Sequence, residues 1–275
     1  MSDTVNTTSV APAQGASDDF YVGYLPTPKS HASALRVIVP AVLLGLAGVA
    51  SVVAYVQRNP GSGMWSSDVE KVTGVLLSRP APMLVVESPA GPQAMLLVEE
   101  GKHGAGERAA ELHGKRVEVS GTRLSREGRT VFEIAAGTGS VKVLSGDETR
   151  SEVAVTDLSV ASADAASVTL RGEIIDSKCY HGAMKPGDGK SHKACATLCV
   201  SNGIPAMFAA INTDGTTSYY LLAMKGGSQS SAAGSQFDAD TLSKIGELVE
   251  VRGTVSRVAD LNVLTIEAGS VQRVR

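Results

Sequence analysis

The sequence predicts a mainly β protein: an N-terminal transmembrane helix followed by two OB-like small β-barrels, the second with a Cys/His-containing insertion. Three observations predict this. Val37–Val56 is an apolar run without a charged residue. The remainder repeats itself, with G-K-R-V-E-V-S-G-T-R-L-S-R at 114–126 answered by G-E-L-V-E-V-R-G-T-V-S-R at 246–257. Each copy also orders its elements as three strands, a short helix and two strands, the order of an OB-type barrel.

The elements follow in chain order. Residues 1–36 form the N-terminal segment, expected to be cytoplasmic and partly disordered, since 1–19 are rich in Ser, Thr, Ala and Asp. Phe20, Tyr21 and Tyr24 then suit the level of lipid headgroups. At 1.5 Å per residue, 37–56 spans the roughly 30 Å hydrocarbon core. A cleaved leader would have a shorter apolar core behind a short basic start, whereas here Asp3, Asp18 and Asp19 precede the run. Basic residues are nearly balanced, Lys29 and Arg36 before the span and Arg58 and Lys71 after it. Arg36 abuts the span and sets the expected orientation: N-terminus in the cytoplasm, C-terminal domains in the periplasm, in a bacterial inner membrane. Residues 57–67 read as a linker, with Trp65 as a second interfacial anchor.

The first barrel is assigned to 68–146. Its strands are expected at 69–77, 83–87, 94–98, 115–121 and 130–134, with a short helix at 105–113. Residues 147–167 read as a connector, of which 152–155 could pair with a sheet edge. The second barrel, 168–275, has strands expected at 168–175, 206–211, 218–222, 248–255 and 263–267, with a short helix at 238–245. Apolar and polar residues alternate in the repeated strand of both copies. The second copy differs by the insertion 178–204, placed between its first two strands, where a loop can carry function without disturbing a barrel core.

All three cysteines of the chain and two of its five histidines lie within Cys179–Cys199. Pro186, Gly187 and Gly189 make the first half a loop. Ser191 is expected to cap a helix running through Cys199 and ended by Asn202-Gly203. On that helix His192, Cys195 and Cys199 stand at i, i+3 and i+7, within about 60° of one another. Cys179 closes over their common face. Three chemistries compete. A Cys₃His set of Cys179, His192, Cys195 and Cys199 suits zinc, and thiolates with Met184 nearby suit copper as Cu(I). His181 and Met184 are the weaker candidates, His181 being expected as a solvated loop residue. Alternatively, a disulfide joins Cys179 to Cys195 or to Cys199 and contributes on the order of 3 kcal/mol. The third chemistry is a redox thiol activated by Lys178, Lys185, Lys190 and Lys193. One bridge leaves a cysteine over, which puts the metal first. His31, His103 and His113 stand alone and are expected at the surface.

The stretch G-E-I-I-D-S-K-C-Y at 172–180, with K-P-G-D-G-K-S-H-K-A-C-A-T-L-C-V at 185–200 and G-I-P at 203–205, resembles a signature of uncharacterised bacterial membrane-anchored envelope proteins with small OB-like domains. The resemblance implies a β-barrel and an exported location. It brings no catalytic roles.

Composition and motifs narrow the function classes. A net charge of -3 gives no general footprint for nucleic acid. The first barrel has Phe132 as its single aromatic residue, too few for stacked bases. No paired carboxylates, Ser-His-Asp set or phosphate loop points to an enzyme, and no catalytic residue is assigned. The expectation is a membrane-anchored, non-catalytic accessory protein or subunit of an envelope complex, such as a respiratory or metalloenzyme complex, with a metal- or redox-sensitive Cys/His loop and another membrane protein as partner. The alternative is a structural interaction protein stapled by a disulfide.

Overall fold

The structure, a computed structural model, describes residues 29–56, 63–144, 159–160, 167–227 and 235–274. The expectations for 1–28 and for most of the connector lie outside these residues, as does the edge pairing at 152–155.

Helix α1 runs Lys29–Val56. It starts before the apolar run because Ala32, Ala34, Leu35 and Arg36 are good helix formers. Ser51 satisfies its hydroxyl on the Ala47 carbonyl, 2.7 Å away. The stretch His31–Tyr55, whose most apolar 18 residues reach a mean hydropathy of 2.5, is long and apolar enough to cross a membrane. A signal sequence would have the same character.

Residues 59–275 form a separate compact unit. It opens with β1, Met64–Trp65, inside the stretch read as linker. This two-residue strand pairs with Ser125 and Leu124, and Trp65 Nε1 donates to Thr122 Oγ1 at 3.0 Å. The indole is therefore tied to the sheet, and the residue is 46% exposed.

The first barrel comprises β2 (Glu70–Leu77), β3 (Met83–Val86), β4 (Gln93–Val98), the short helix α2 (Gly106–Ala109), β5 (Arg116–Arg126) and β6 (Arg129–Ile134). Pairing runs β2–β3–β4–β6–β5 and returns to β2, closing a five-stranded barrel. Only the β4–β6 contact is parallel, because the helix lies between strands three and four and carries the chain across the barrel end. A short β7, Val141–Val143, adds to β5. After an edge strand β8, Ser159–Val160, the second sheet follows with β9 (Ser167–Asp176), helix α3 (Gly189–Ser201), β10 (Ala206–Ile211), β11 (Thr217–Met224), helix α4 (Ala239–Leu242), β12 (Leu248–Val258) and β13 (Leu261–Arg273). Its pairing follows the same circuit, β9–β10–β11–β13–β12 and back to β9, again with one parallel contact, β11–β13. The Cys/His insertion lies between its first two long strands, as the repeat alignment predicts.

Three apolar clusters explain the runs that do not alternate. Leu76, Leu97 and Phe132 fill the first sheet's interior. Ile174, Phe208, Leu222 and Leu264 fill the second, joined by Ala196 and Val200 from α3. The third cluster belongs to neither sheet alone: Val75, Leu77, Leu96 and Val98 meet Ile175, Tyr180, Met207 and Leu261. Successive residues of β2 and β4 thus point alternately into their own barrel and against the other half, so both faces are buried.

Polar contacts fix the same seam. Arg126 Nη1 donates to the Tyr180 carbonyl at 3.2 Å, and Ala94 N donates to Asp260 Oδ1 at 2.7 Å. Gly104 N donates to the Asn202 carbonyl at 3.0 Å. At that point the two backbones touch: a Cβ on residue 104 would lie 1.9 Å from the Gly203 oxygen. Gly104→Ala should force the halves apart locally and cost roughly 1–3 kcal/mol, read as a lower Tm of the full chain. An unchanged Tm would show that this contact yields freely.

Candidate metal centre

The site starts at the end of β9. Asp176, fully buried, accepts from Cys179 N on Oδ1 at 2.7 Å. It acts as the capping acceptor for a short helical stretch from residue 177 that widens at Cys179–Ala183, where Met184 N donates to the Cys179 carbonyl at 3.4 Å. That turn, rather than an extended strand, carries Cys179. Helix α3 then returns over the sheet. Gly189 N donates to Glu173 Oε1 at 2.6 Å, and Lys193 Nζ donates to the Ser243 carbonyl at 2.6 Å. Ala196 and Val200 turn into the second core. Gly203, at φ +86°, ends the helix, where only glycine adopts the backbone without strain. The helix is thereby pinned at both ends.

Two overlapping triples result. The sulfurs of Cys179, Cys195 and Cys199 all lie within 4.8 Å of one another. Ligand atoms of Asp176, Cys179 and His192 form a second group of the same size. Either triple could hold a metal ion. The expected four-residue set is therefore divided: His192 joins Cys179 through Asp176, not through Cys195 and Cys199. Its Nε2 is 3.0 Å from Asp176 Oδ2, and the carboxylate holds the imidazole above its ordinary range against the effect of burial. All three cysteines, the members of both expected bridges (Cys179 with Cys195 or Cys199), are free thiols in this structure.

The weaker candidates stand apart. His181 is buried, correcting the expectation of a solvated loop residue. Its Nδ1 is 2.6 Å from the Ser177 carbonyl, and its ring meets Tyr180 edge-on. Met184 ends the same turn and is 48% exposed. His103 and His113 are exposed as expected, and His113 Nδ1 accepts from Ser78 N at 3.1 Å.

The electrostatics separate the thiols. Cys199 is pulled down to about 7, first by a hydrogen bond from Cys179 and also by the charge of Lys102. Cys179 is pushed up, because it is the donor in that bond and is buried beside Asp176. The proton stays on Cys179 and the anion forms on Cys199. Lys102 comes from the first barrel. Its Nζ lies 2.7 Å from Cys195 Sγ and 3.8 Å from Cys199 Sγ, and the bond to Cys195 raises its own pKa.

Sequence reasoning missed Asp176 and Lys102. Asp176 had a local signal, an acceptor three residues before Cys179 in D-S-K-C, the spacing of a cap. Lys102 had none, lying in a turn of the other repeat.

Burial also sets a pH response in the metal-free protein. It lowers His181 to about 4 from 6.5, Arg126 and Arg129 adding to the effect and the Ser177 carbonyl and Asp176 opposing it. The folded value lies below the unfolded one. The contribution is thus complete above about 6.5 and is lost as pH falls toward 4, at most about 3 kcal/mol. Denaturant midpoints at neutral pH and pH ~4.5 should differ less in His181→Gln than in the wild type. Equal differences would refute the assignment.

No family model matches the chain, and no curated protein matches it. A solved deletion mutant of the single-stranded DNA binding protein from Thermus aquaticus is similar over 78% of this chain and 95% of that one, at 13% identity and a TM-score of 0.19. A likeness of that size carries no argument about fold or activity.

Proposed function

We propose that the chain is a membrane-anchored, non-catalytic accessory protein of a bacterial envelope complex, whose second barrel binds a soft metal ion through Cys179, Cys195 and Cys199. One observation carries the metal reading: three sulfurs from two separately positioned elements converge within 4.8 Å. Zinc bound to thiolates at about 2.3 Å places them about 3.8 Å apart, so the triple needs to contract by no more than about an ångström. Zn(II) and Cu(I) are the ions whose softness fits such donors. A Cys199 thiol near neutrality supplies one anion without alkaline pH.

His192 belongs to this reading as an outer partner. A carboxylate-bound imidazole beside a ligand thiol fixes its orientation, and outer partners of this kind tune metal affinity. The apolar helix α1 would tether the unit, with the barrels in the periplasm and another membrane protein, such as a respiratory or metalloenzyme subunit, as the partner.

Metal analysis of the full chain, purified in mild detergent both with and without reductant, tests this together with a thiol count on the unreduced protein. One Zn(II) or Cu(I) per chain, with all three thiols shielded from alkylation until a chelator is added, is expected. No bound metal in the reduced protein, and a single thiol in the unreduced protein after denaturation, would instead establish the disulfide-stapled interaction protein. Affinity purification in the same detergent tests the complex, and recovery of the protein alone would count against a partner.

A further inference from the structure

The cysteine segment is held against one turn of the first barrel, residues 99–104. Lys178, the residue before Cys179, donates from Nζ to the Glu99 carbonyl at 2.8 Å and to the Gly101 carbonyl at 2.7 Å. The same ammonium is ion-paired with buried Glu133 on β6, whose Oε2 accepts no well-directed hydrogen bond. At the other end of the segment, the Asn202 carbonyl accepts from Gly104 N. The turn is thus pinned on both sides of Lys102, by residues that flank the cysteines in sequence.

We infer that the first barrel is a working part of the metal site: Lys102 is a positioning residue that presents positive charge to the Cys195 and Cys199 sulfurs, and Lys178 clamps it there. The inference rests on the metal reading above. Formal charge gives it direction. Three thiolates around Zn(II) carry a net charge of minus one, and around Cu(I) minus two. A net charge out of water is costly unless compensated. With the facing Asp176–His192 ion pair counted as neutral, the Lys102 ammonium brings the Zn(II) complex to neutrality and leaves the Cu(I) complex anionic, so the site suits a divalent d¹⁰ ion. The ammonium contacts the Cys195–Cys199 side of the triple, 2.7 and 3.8 Å from those two sulfurs. It can therefore donate to bound thiolates while the ion sits among all three.

The test uses the full chain in detergent micelles, reduced and metal-free, titrated with Zn(II) against a competing chelator. Co(II) serves as a spectroscopic stand-in that reports sulfur ligation. Lys102→Met should weaken Zn(II) binding about 10–100-fold, the usual effect of removing an outer partner. The sulfur-to-cobalt absorption and Tm should stay as in the wild type. Lys102→Arg, which keeps the charge, should fall between the two. Removing the clamp as a neutral pair, Lys178→Met with Glu133→Met, should weaken binding alone and add little in the Lys102→Met background. Wild-type affinity in Lys102→Met, or tighter binding, overturns the inference, the latter by showing that the ammonium competes with the ion. Equal losses in Met and Arg variants with a lowered Tm also overturn it, as a purely structural role. A wild-type chain that takes up neither Zn(II) nor Co(II) overturns the metal reading itself, and this inference with it.

Discussion

Cys199→Ser should abolish tight Zn(II) binding while leaving the fold in place. Cys199 is buried among the other two sulfurs and is the thiol lowered to about 7. It thus offers an anion more readily than Cys179 does. Serine keeps the shape but supplies a hard hydroxyl that stays protonated at neutral pH, a poor donor for a thiophilic ion. Losing one of three ligands and the ready anion together should exceed the 10–100-fold typical of an outer-partner change. Met184→Leu, by contrast, should bind as the wild type does. The same chelator competition reads both variants, and thermal unfolding checks the fold. Wild-type affinity in Cys199→Ser would remove the three-sulfur site from consideration.

The largest stability effect should come from Lys178→Met. Lys178 and Glu133 are both buried, with side chains 4% and 10% exposed. Removing only the ammonium leaves a carboxylate without its counter-charge, and the Glu99 and Gly101 carbonyls without their donor. Breaking one side of a buried pair costs about 3–5 kcal/mol, whereas replacing both partners by apolar residues is often neutral. Lys178→Met should therefore lower the denaturant midpoint strongly, and adding Glu133→Met should restore most of it. A double variant as unstable as the single one would mean that the two carbonyl hydrogen bonds, not the charge balance, dominate.

Much of the barrel order was legible because it depends on local signals. The period-two strands, the Gly-Thr endings of the repeated segments and the helix between strands three and four are written in adjacent residues. The helix carrying His192, Cys195 and Cys199 was legible for the same reason. The division of the ligands was not. Whether His192 joins the sulfurs or Asp176 depends on where β9 places a carboxylate relative to α3, and helical spacing carries no such information. Lys102 lies 93 residues from Cys195 and meets it only because the halves dock through a shared apolar layer. The runs G-V-L-L and A-M-L-L-V did hold a trace of that layer. Four consecutive buried positions in β2 and in β4 do not fit a strand with one wet face.

The two-faced strands have a consequence for how the chain can be divided. The repeat invites a cut in the connector between 144 and 167, as though each half were a module to be moved or expressed alone. Such a cut would bare Leu77, Leu96 and Val98 on one piece and Ile175, Met207 and Leu261 on the other. It would also strand Lys178 away from Glu133 and Lys102 away from the cysteines. Each piece would keep its own inner core yet present a sticky apolar wall prone to self-association. Sequence duplication and physical autonomy part company here: what looks like two beads on a string is closer to one bead with a seam.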